Sequence, residues 1–363
     1  MADEPGESFE EALQAVGTQD YPNQSVLVID GTRSTSRASE RSSDRDISPR
    51  VAAVLPEAFL RRPAQSRRDA GFAAAANDVL DTVQGASFLV FCHDDVAPEP
   101  DALRLMVEES LRSNAGIVGP KFVDWTHPDR LLGVGLSVDK TGACAPLVDR
   151  GELDQEQHDS VRDVFAVSSA CMLVRADLFA ELGGFDPAMA DYGADVDLCW
   201  RAQVAGARVV VAPAARVRHR EAGREAPGAD PRQARMEPRH HLRAMFKSYS
   251  LLHLLRVIPQ AAVVTVVEAL MALFTRRIHE ARDLVGAWWW NLRHLGQLRP
   301  LRATVRRTRN VPDSEVRRLQ ARGSVRLTLY LQRRFHAEER ARALVEAGHD
   351  LVESVGRGPA RAA

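Results

Sequence analysis

The stretch Ser87-Phe88-Leu89-Val90-Phe91-Cys92-His93-Asp94-Asp95-Val96 limits the folds open to this chain more than any other. Its apolar run, β-branched and aromatic in part, reads as a strand buried on both faces, which needs a sheet with helices on either side. The run ends on His93-Asp94-Asp95, and Pro98 and Pro100 then argue against further strand. In an open α/β sheet, ligands bind just beyond the carboxyl ends of the strands. Two carboxylates and an imidazole placed there supply the donors a hard divalent cation prefers, alone or arriving with a diphosphate. The same residues also suit a solvated turn that merely stops a strand, so their surroundings must decide.

Those surroundings alternate strand with helix. Residues 26–29 form an apolar strand ending on Asp30-Gly31, after a short amphipathic helix that Ser8 can cap and Glu11 can complete as a capping box. Residues 32–48, rich in Ser, Arg and Asp, read as a mobile loop, and residues 51–60 as a weak helix or strand. Gly71-Phe72-Ala73-Ala74-Ala75-Ala76-Asn77 opens a helix of small residues, and another helix is predicted over 101–113. Strands follow at 117–120, within 164–175 and at 209–211, with helices at 176–182 and about 195–205. This alternation predicts a doubly wound α/β sheet. The four cysteines, Cys92, Cys144, Cys171 and Cys199, lack zinc or redox spacing and read as small core residues in a reducing compartment. The amino terminus has neither the basic nor the apolar segment of a secretory signal.

Five motifs then fall in one order: Gln19-Asp20-Tyr21-Pro22 with the strand to Asp30, the segment from Gly71 to Asn77, and His93-Asp94-Asp95-Val96. Gly183-Gly184-Phe185-Asp186-Pro187 follows, then Tyr192-Gly193-Ala194-Asp195-Val196-Asp197-Leu198-Cys199-Trp200-Arg201 with Val217-Arg218-His219. Together they resemble family 2 glycosyltransferases of the GT-A fold, and more narrowly the actinobacterial members of rhamnosyl- or galactofuranosyl-transferase type. The resemblance implies inverting sugar transfer from a nucleoside-diphosphate donor, with Mn²⁺ or Mg²⁺, to a glycan or lipid-linked acceptor of the cell envelope. It implies Asp195 as general base, Asp95 and His219 as metal or diphosphate ligands, and Asp30, Asp94 and Asn77 among the donor-binding residues. Such chemistry needs a carboxylate to take the acceptor hydroxyl's proton and positive charge to meet the departing diphosphate. Read alone, Asp195 is an N-cap, Asp30 a turn former and His219 a surface histidine. Asp197 reads as structural, and Trp200 and Phe185 as core. The family usually carries an acidic residue immediately before the base, where this chain has Ala194. Its members also begin with a strand that lies between the second and fourth, so residues 1–221 are expected to be a GT-A domain short of that strand.

Residues 222–238 lack periodicity and read as a linker, residues 239–345 as a helical, membrane-associating region, and 346–363 as a disordered tail. Residues 257–275 are nearly long enough to span a bilayer, but Glu268 would cost about 2.5–3.5 kcal/mol near the centre. His253, Arg256, Gln260 and Glu268 are assigned to one polar stripe, which predicts a helix lying on the membrane rather than one crossing it or one in a soluble bundle. Formal net charge is −1, from 48 Lys+Arg against 49 Asp+Glu, yet arginine is concentrated after about Arg201. Trp288-Trp289-Trp290 and the arginines from Arg293 to Arg309 then suit the cytoplasmic face of an anionic membrane. No nucleic-acid recognition motif is present, and nucleic acid is not an expected partner. Two other readings remain open: a non-catalytic relative keeping the shell of the fold, and a nucleotidyltransferase, for which the Gly-rich phosphate loop is lacking.

Overall fold

Valine-rich runs without polar alternation become the inner strands, as segments covered on both faces should. In the computed structural model, which describes residues 2, 6, 8–31, 46–149, 151–220, 231–323 and 325, the chain opens with α1 (Phe9–Gly17), β1 (Leu27–Ile29), α2 (Ser48–Val54) and β2 (Phe59–Arg61). Three short helices, α3 (Gln65–Asp69), α4 (Phe72–Ala76) and α5 (Val79–Thr82), precede β3 (Phe88–Cys92) and β4 (Val96–Pro98). Next come α6 (Ala102–Ser113), β5 (Ala115–Asp124), β6 (Leu131–Gly133), β7 (Leu136–Val138), β8 (Cys144–Pro146) and β9 (Arg162–Asp163). The α/β part closes with β10 (Cys171–Arg175), α7 (Ala176–Glu181), α8 (Ala194–Val204) and β11 (Arg208–His219). Helices α9 (Pro231–Ser248), α10 (Leu251–Phe274), α11 (Ile278–Arg293), α12 (Leu295–Thr308) and α13 (Asp313–Val316) complete the chain described.

Seven strands form a mixed sheet with the path β3-β10-β5-β11-β4, to which β6 adds beside β5 and β9 beside β11. The parallel β5–β11 pair is its centre. Val118, Leu173 and Val210 pack with Met106 of α6 on one face, while Ile117, Val174 and Val211 pack with Phe179 of α7 and Leu198 of α8 on the other. Alternate residues of each strand thus enter opposite cores, which is the doubly wound arrangement. Strands β1 and β2 pair in parallel as a separate two-stranded sheet. The edge of β1 away from β2 carries a bridge to Ala2, whose N–H donates to Ile29 O at 3.0 Å and whose carbonyl accepts from Gly31 at 2.7 Å. Among the described residues, β3 has β10 as its one strand neighbour.

Several local expectations are corrected. Strand resumes after the acidic turn and reaches Pro98, the last residue of β4, because β4 is an edge strand and proline is tolerated there. Pro120 lies inside β5, where its partner strand shifts register between Ala212 and Arg216. Ser8 makes no side-chain cap, and Glu11 is drawn instead to Arg218, 2.9 Å away. Residues 164–170 are irregular, and strand begins only at Cys171. Residues 231–238 are not linker: α9 starts at Pro231, a favoured first-turn residue, and runs through Pro238. Residues 32–45 of the expected loop, 222–230 of the expected linker and all of the expected tail at 346–363 lie outside the described residues. All four cysteines are free thiols; Cys92 and Cys171 face each other across β3 and β10 with sulfurs 3.7 Å apart.

The C-terminal helices share the core of the sheet. Trp200 of α8 meets Tyr249 edge-to-face at 4.9 Å, and Met245, Leu254 and Val257 join the same apolar cluster. Helix α10 lies against α11, where Trp288 Nε1 donates to Thr265 Oγ1 at 3.0 Å. Among the described residues it is the one helix long and apolar enough to cross a membrane. The expected polar stripe is split: Arg256 and Gln260 are exposed, while His253 and Glu268 are half-buried. The outward face is instead apolar, with Leu252, Leu255, Val263, Leu270 and Phe274 all exposed.

Candidate active site

The turn His93-Asp94-Asp95 joins β3 to β4, and β4 pairs antiparallel with the last residues of β11, His219 opposite Val96. Arg220 N–H continues that ladder by donating to Asp95 O at 2.8 Å. Strand pairing therefore brings together two side chains far apart in sequence: His219 Nε2 lies 3.3 Å from Asp95 Oδ2. His219 is buried against Phe122, ring centroids 5.6 Å apart. Burial works against ionisation of Asp95, but the hydrogen bond and charge of His219, with the charge of His93, outweigh it and hold the carboxyl below its usual range. Its other oxygen, Oδ1, is buried without a hydrogen-bond partner. An orphaned carboxylate oxygen is costly unless a cation or donor meets it. No set of three potential ligand side chains gathers among the described residues. Asp95 and His219 thus fit a cation completed by phosphates and water, the way Mg²⁺ is commonly held.

Asp195 reaches the same edge from the opposite side of the sheet. Gly193, at φ +78°, holds the left-handed conformation that starts α8, which places Asp195 within the first turn rather than at the N-cap. Asp195 Oδ1 accepts from Val196 N–H at 2.8 Å and Oδ2 from Ser169 N–H at 3.2 Å. The next carbonyl, Ala170 O, accepts from His93 N–H at 2.9 Å. The turn 168–170 therefore ties the general-base candidate directly to the His93–Asp95 turn. Sequence reading took 168–169 as strand and missed this bridge; its signal was two serines ending an apolar run.

Beneath Asp195 lies a buried ionic network. Asp197, fully buried, accepts from Arg201 Nε at 2.8 Å and lies 2.6 Å from Lys247 Nζ. Lys247 also donates to Asp186 Oδ2 at 2.7 Å, which Arg243 Nε reaches at 2.8 Å. Burial opposes ionisation of Asp186, but Lys247 and Arg243 hold its carboxyl far below the ordinary range. Arg201 further donates to Leu182 O and Gly184 O at 2.9 and 2.8 Å. One turn earlier on α9, His240 Nδ1 donates to Tyr192 O at 2.5 Å. Helix α9 is thereby bolted to both ends of the segment that carries Asp195.

The remaining predicted site residues are spread out. Asp94 occupies the turn beside Asp95. Asp30, buried at the end of β1, pairs with Arg62 Nε at 2.6 Å. Asn77 is a structural tie: its Nδ2 donates to Phe185 O and its Oδ1 accepts from Phe185 N–H, both at 2.8 Å. Gly184, at φ +73°, is required beside it, since a Cβ there would stand 2.4 Å from Asn77 Oδ1. Asn77, expected among the donor-binding residues, thus has both ends of its amide engaged by Phe185.

Comparison with known proteins gives the family. Residues 7–236 match the family model Glycosyltransferase like family 2. A pre-mycofactocin glycosyltransferase of Mycobacterium tuberculosis is 29% identical over 170 residues, 46% of this chain and 32% of the relative. The O-antigen biosynthesis protein RfbC of Myxococcus xanthus is 31% identical over 140 residues, 37% of this chain and 11% of that protein. The match thus spans a third or less of these curated relatives. Among solved structures, GalNAc-T7 with UDP, GalNAc and Mn²⁺ aligns at TM-score 0.49 and 12% identity, over 67% of this chain and 46% of that one. A mannosyltransferase from Pyrobaculum calidifontis, in complex with GDP-Man and Mn²⁺, aligns at 0.44 and 18%, over 80% and 85%. The sheet is that of the GT-A fold, and with the family model covering most of the chain, it belongs to glycosyltransferase-like family 2.

Proposed function

We propose that the chain transfers a sugar, with inversion, from a nucleoside-diphosphate donor to a glycan or lipid-linked acceptor at a membrane surface. The observation that carries this reading is the 168–170 turn, which holds Asp195 to one side and the His93–Asp95 turn to the other. Asp95 and His219 would hold the divalent ion, which when bound supplies Lewis-acid stabilisation to the diphosphate. Asp94 stands beside them for the donor's ribose, and Asp30 is retained as a contact to the nucleoside. Asp195 accepts the acceptor hydroxyl's proton as its oxygen forms the new bond to the anomeric carbon. The bond from that carbon to the diphosphate oxygen breaks on the opposite face, and its electron pair leaves with the diphosphate. The hydrogen bond from Ser169 fixes the carboxylate's orientation, and the buried network beneath keeps α8 in place, which is how a protein limits the reorganisation a reaction requires.

The exposed apolar face of α10 supports the membrane part of the proposal. Leu252 is 80% and Phe274 92% exposed, and the run between them continues the face. A contiguous apolar surface of this kind is a docking surface rather than a solvated one. Trp289 and Arg293 of α11, stacked at 5.1 Å, extend it with the aromatic and cationic pair suited to a headgroup layer. The test is donor binding and turnover: thermal stabilisation by nucleoside diphosphates with Mn²⁺ or Mg²⁺, then release of diphosphate in the presence of acceptor. Absence of stabilisation by any nucleoside diphosphate would favour a non-catalytic relative.

A further inference from the structure

A concave site lined by none of the residues above lies between the β7–β8 hairpin and the chain after α13. Lys140, Arg317, Gln320, Ala321, Arg322 and Gly323 line a cavity of about 260 Å³. Its frame is fixed by backbone and by one phenol: Ala321 N–H donates to Val138 O at 2.9 Å, and Tyr249 OH contacts Lys140 O and Gln320 Oε1 at 3.2 and 2.9 Å. Gln320 is 7% exposed, and with its oxygen engaged by Tyr249, its Nε2 is buried without a partner. Arg317 Nε is likewise buried and unpartnered. Two orphaned donors in a wall with three cations and no acid form a site short of an anion.

The neighbouring acids are already used. Asp139 accepts from Thr141, Ala143 and Val325 N–H, and Asp313 pairs with Arg309 at 2.9 Å. The field is positive enough to be felt nearby. Burial first, then Arg317, Arg256 and Lys140, hold the His253 imidazole below its usual pKa against the pull of Asp313. The start of α10 is tied to the cavity's frame by geometry: Tyr249, whose hydroxyl meets Lys140 and Gln320, immediately precedes Ser250, whose N–H donates to Asp313 Oδ2 at 3.0 Å, and Leu251, Leu252 and Leu255 follow at 70%, 80% and 72% exposed. A basic pocket at the end of an exposed apolar helix face is where a phosphate attached to an acyl or polyprenyl chain is satisfied at both ends.

We propose that this cavity is a phosphate site, and that its occupant is the phosphate of an anionic membrane lipid. It deepens the membrane reading above on a separate set of residues and uses none of the transfer chemistry. The test is co-flotation of the full chain with vesicles of two parts phosphatidylcholine to one part phosphatidylglycerol, against vesicles of phosphatidylcholine alone. Lys140→Ala/Arg322→Ala should weaken binding to the anionic vesicles by roughly tenfold or more and leave neutral-vesicle binding unchanged. Glycerol phosphate at constant ionic strength should displace the wild type from anionic vesicles and have no effect on the residual binding of the variant. Leu252→Ser/Leu255→Ser should lose both vesicle types while still binding glycerol phosphate by calorimetry, which separates this site from the apolar face. Equal binding of wild type and Lys140→Ala/Arg322→Ala to anionic vesicles overturns the lipid assignment. If glycerol phosphate still binds through Lys140 and Arg322 in that case, the occupant is a soluble phosphorylated molecule. Glycerol phosphate that acts alike on wild type and variant overturns the site altogether. Asp195→Asn should bind vesicles as the wild type does, so failure of the transfer reading would show separately.

Discussion

His219 Nε2 lies 3.3 Å from Asp95 Oδ2 because the last residues of β11 pair with the start of β4. The contact makes a two-residue centre from segments that neither sequence proximity nor a shared element would join. Its open valence is Asp95 Oδ1, buried and unpartnered. Asp95→Ala is expected to abolish metal-dependent donor binding, and His219→Ala to weaken it without abolishing it. Titration of Mn²⁺ with a nucleoside diphosphate by calorimetry reads both. An unchanged titration in Asp95→Ala would remove the metal from this pair.

The network under α8 is a stability device, and its pH response has a definite sign. Asp186 has its carboxyl held far below the unfolded value, chiefly against burial by Lys247 and Arg243. Its contribution is therefore present above the unfolded carboxylate's pKa of about 3.9 and is lost as pH falls toward the folded value. Asp186→Asn leaves the buried Arg243 without its carboxylate and Lys247 with Asp197 alone, and should cost about 3–5 kcal/mol at neutral pH. The variant's stability should also fall less steeply than the wild type's below about pH 4. Urea denaturation across pH checks both; parallel curves would mean that Asp186 does not carry the acid dependence.

Lys247→Met leaves each carboxylate with an arginine, Arg243 for Asp186 and Arg201 for Asp197. No buried charge is then left without an opposite one, and the uncompensated charge is what makes breaking a buried pair costly. The expected loss is therefore smaller than in Asp186→Asn, while transfer falls if α9 positions Asp195. Comparing unfolding with turnover separates the roles: a kcat loss exceeding the stability loss marks Lys247 as a positioning residue.

Asn77→Ala should act on folding and not on the donor. Both ends of the amide are held by Phe185, so removal leaves backbone groups unmet at about 1–3 kcal/mol. Donor affinity should stay within about twofold when the folded fraction is accounted for. A loss of affinity with unchanged stability would return Asn77 to the donor site.

What could be read in the residues followed the range of the forces involved. Asp95 and Asp195 are visible locally as the acid after an apolar strand and the acid at a helix start, but alone they read as a turn and an N-cap, and their expected roles came from the motifs. The His219 contact was legible through its motif alone, since nothing in residues 217–219 points to a strand pairing with residues 96–98. Asp197 was read as structural, and its partner Arg201 lies one turn on, but Lys247 and Arg243 are on a helix whose first eight residues resembled a linker. Proline at a helix start and again at position 238 hid that periodicity. The double hydrogen bond of Asn77 is to backbone, which leaves no trace in side-chain type. On α10 the polar residues were assigned one stripe, whereas the fold turns Glu268 partly inward and leaves Leu252, Leu255 and Leu270 outside.

If Asp195 takes the acceptor's proton while Asp95 and His219 hold the donor, donor binding and transfer separate in one variant. The direct measurement is donor affinity and single-turnover transfer in Asp195→Asn, on the full chain with nucleotide-sugar and Mn²⁺ or Mg²⁺. Donor affinity should stay close to wild type while transfer slows by roughly 10²–10⁴-fold, the scale of general-base catalysis. Equal losses of donor binding and transfer, or transfer at the wild-type rate, would contradict this division of roles.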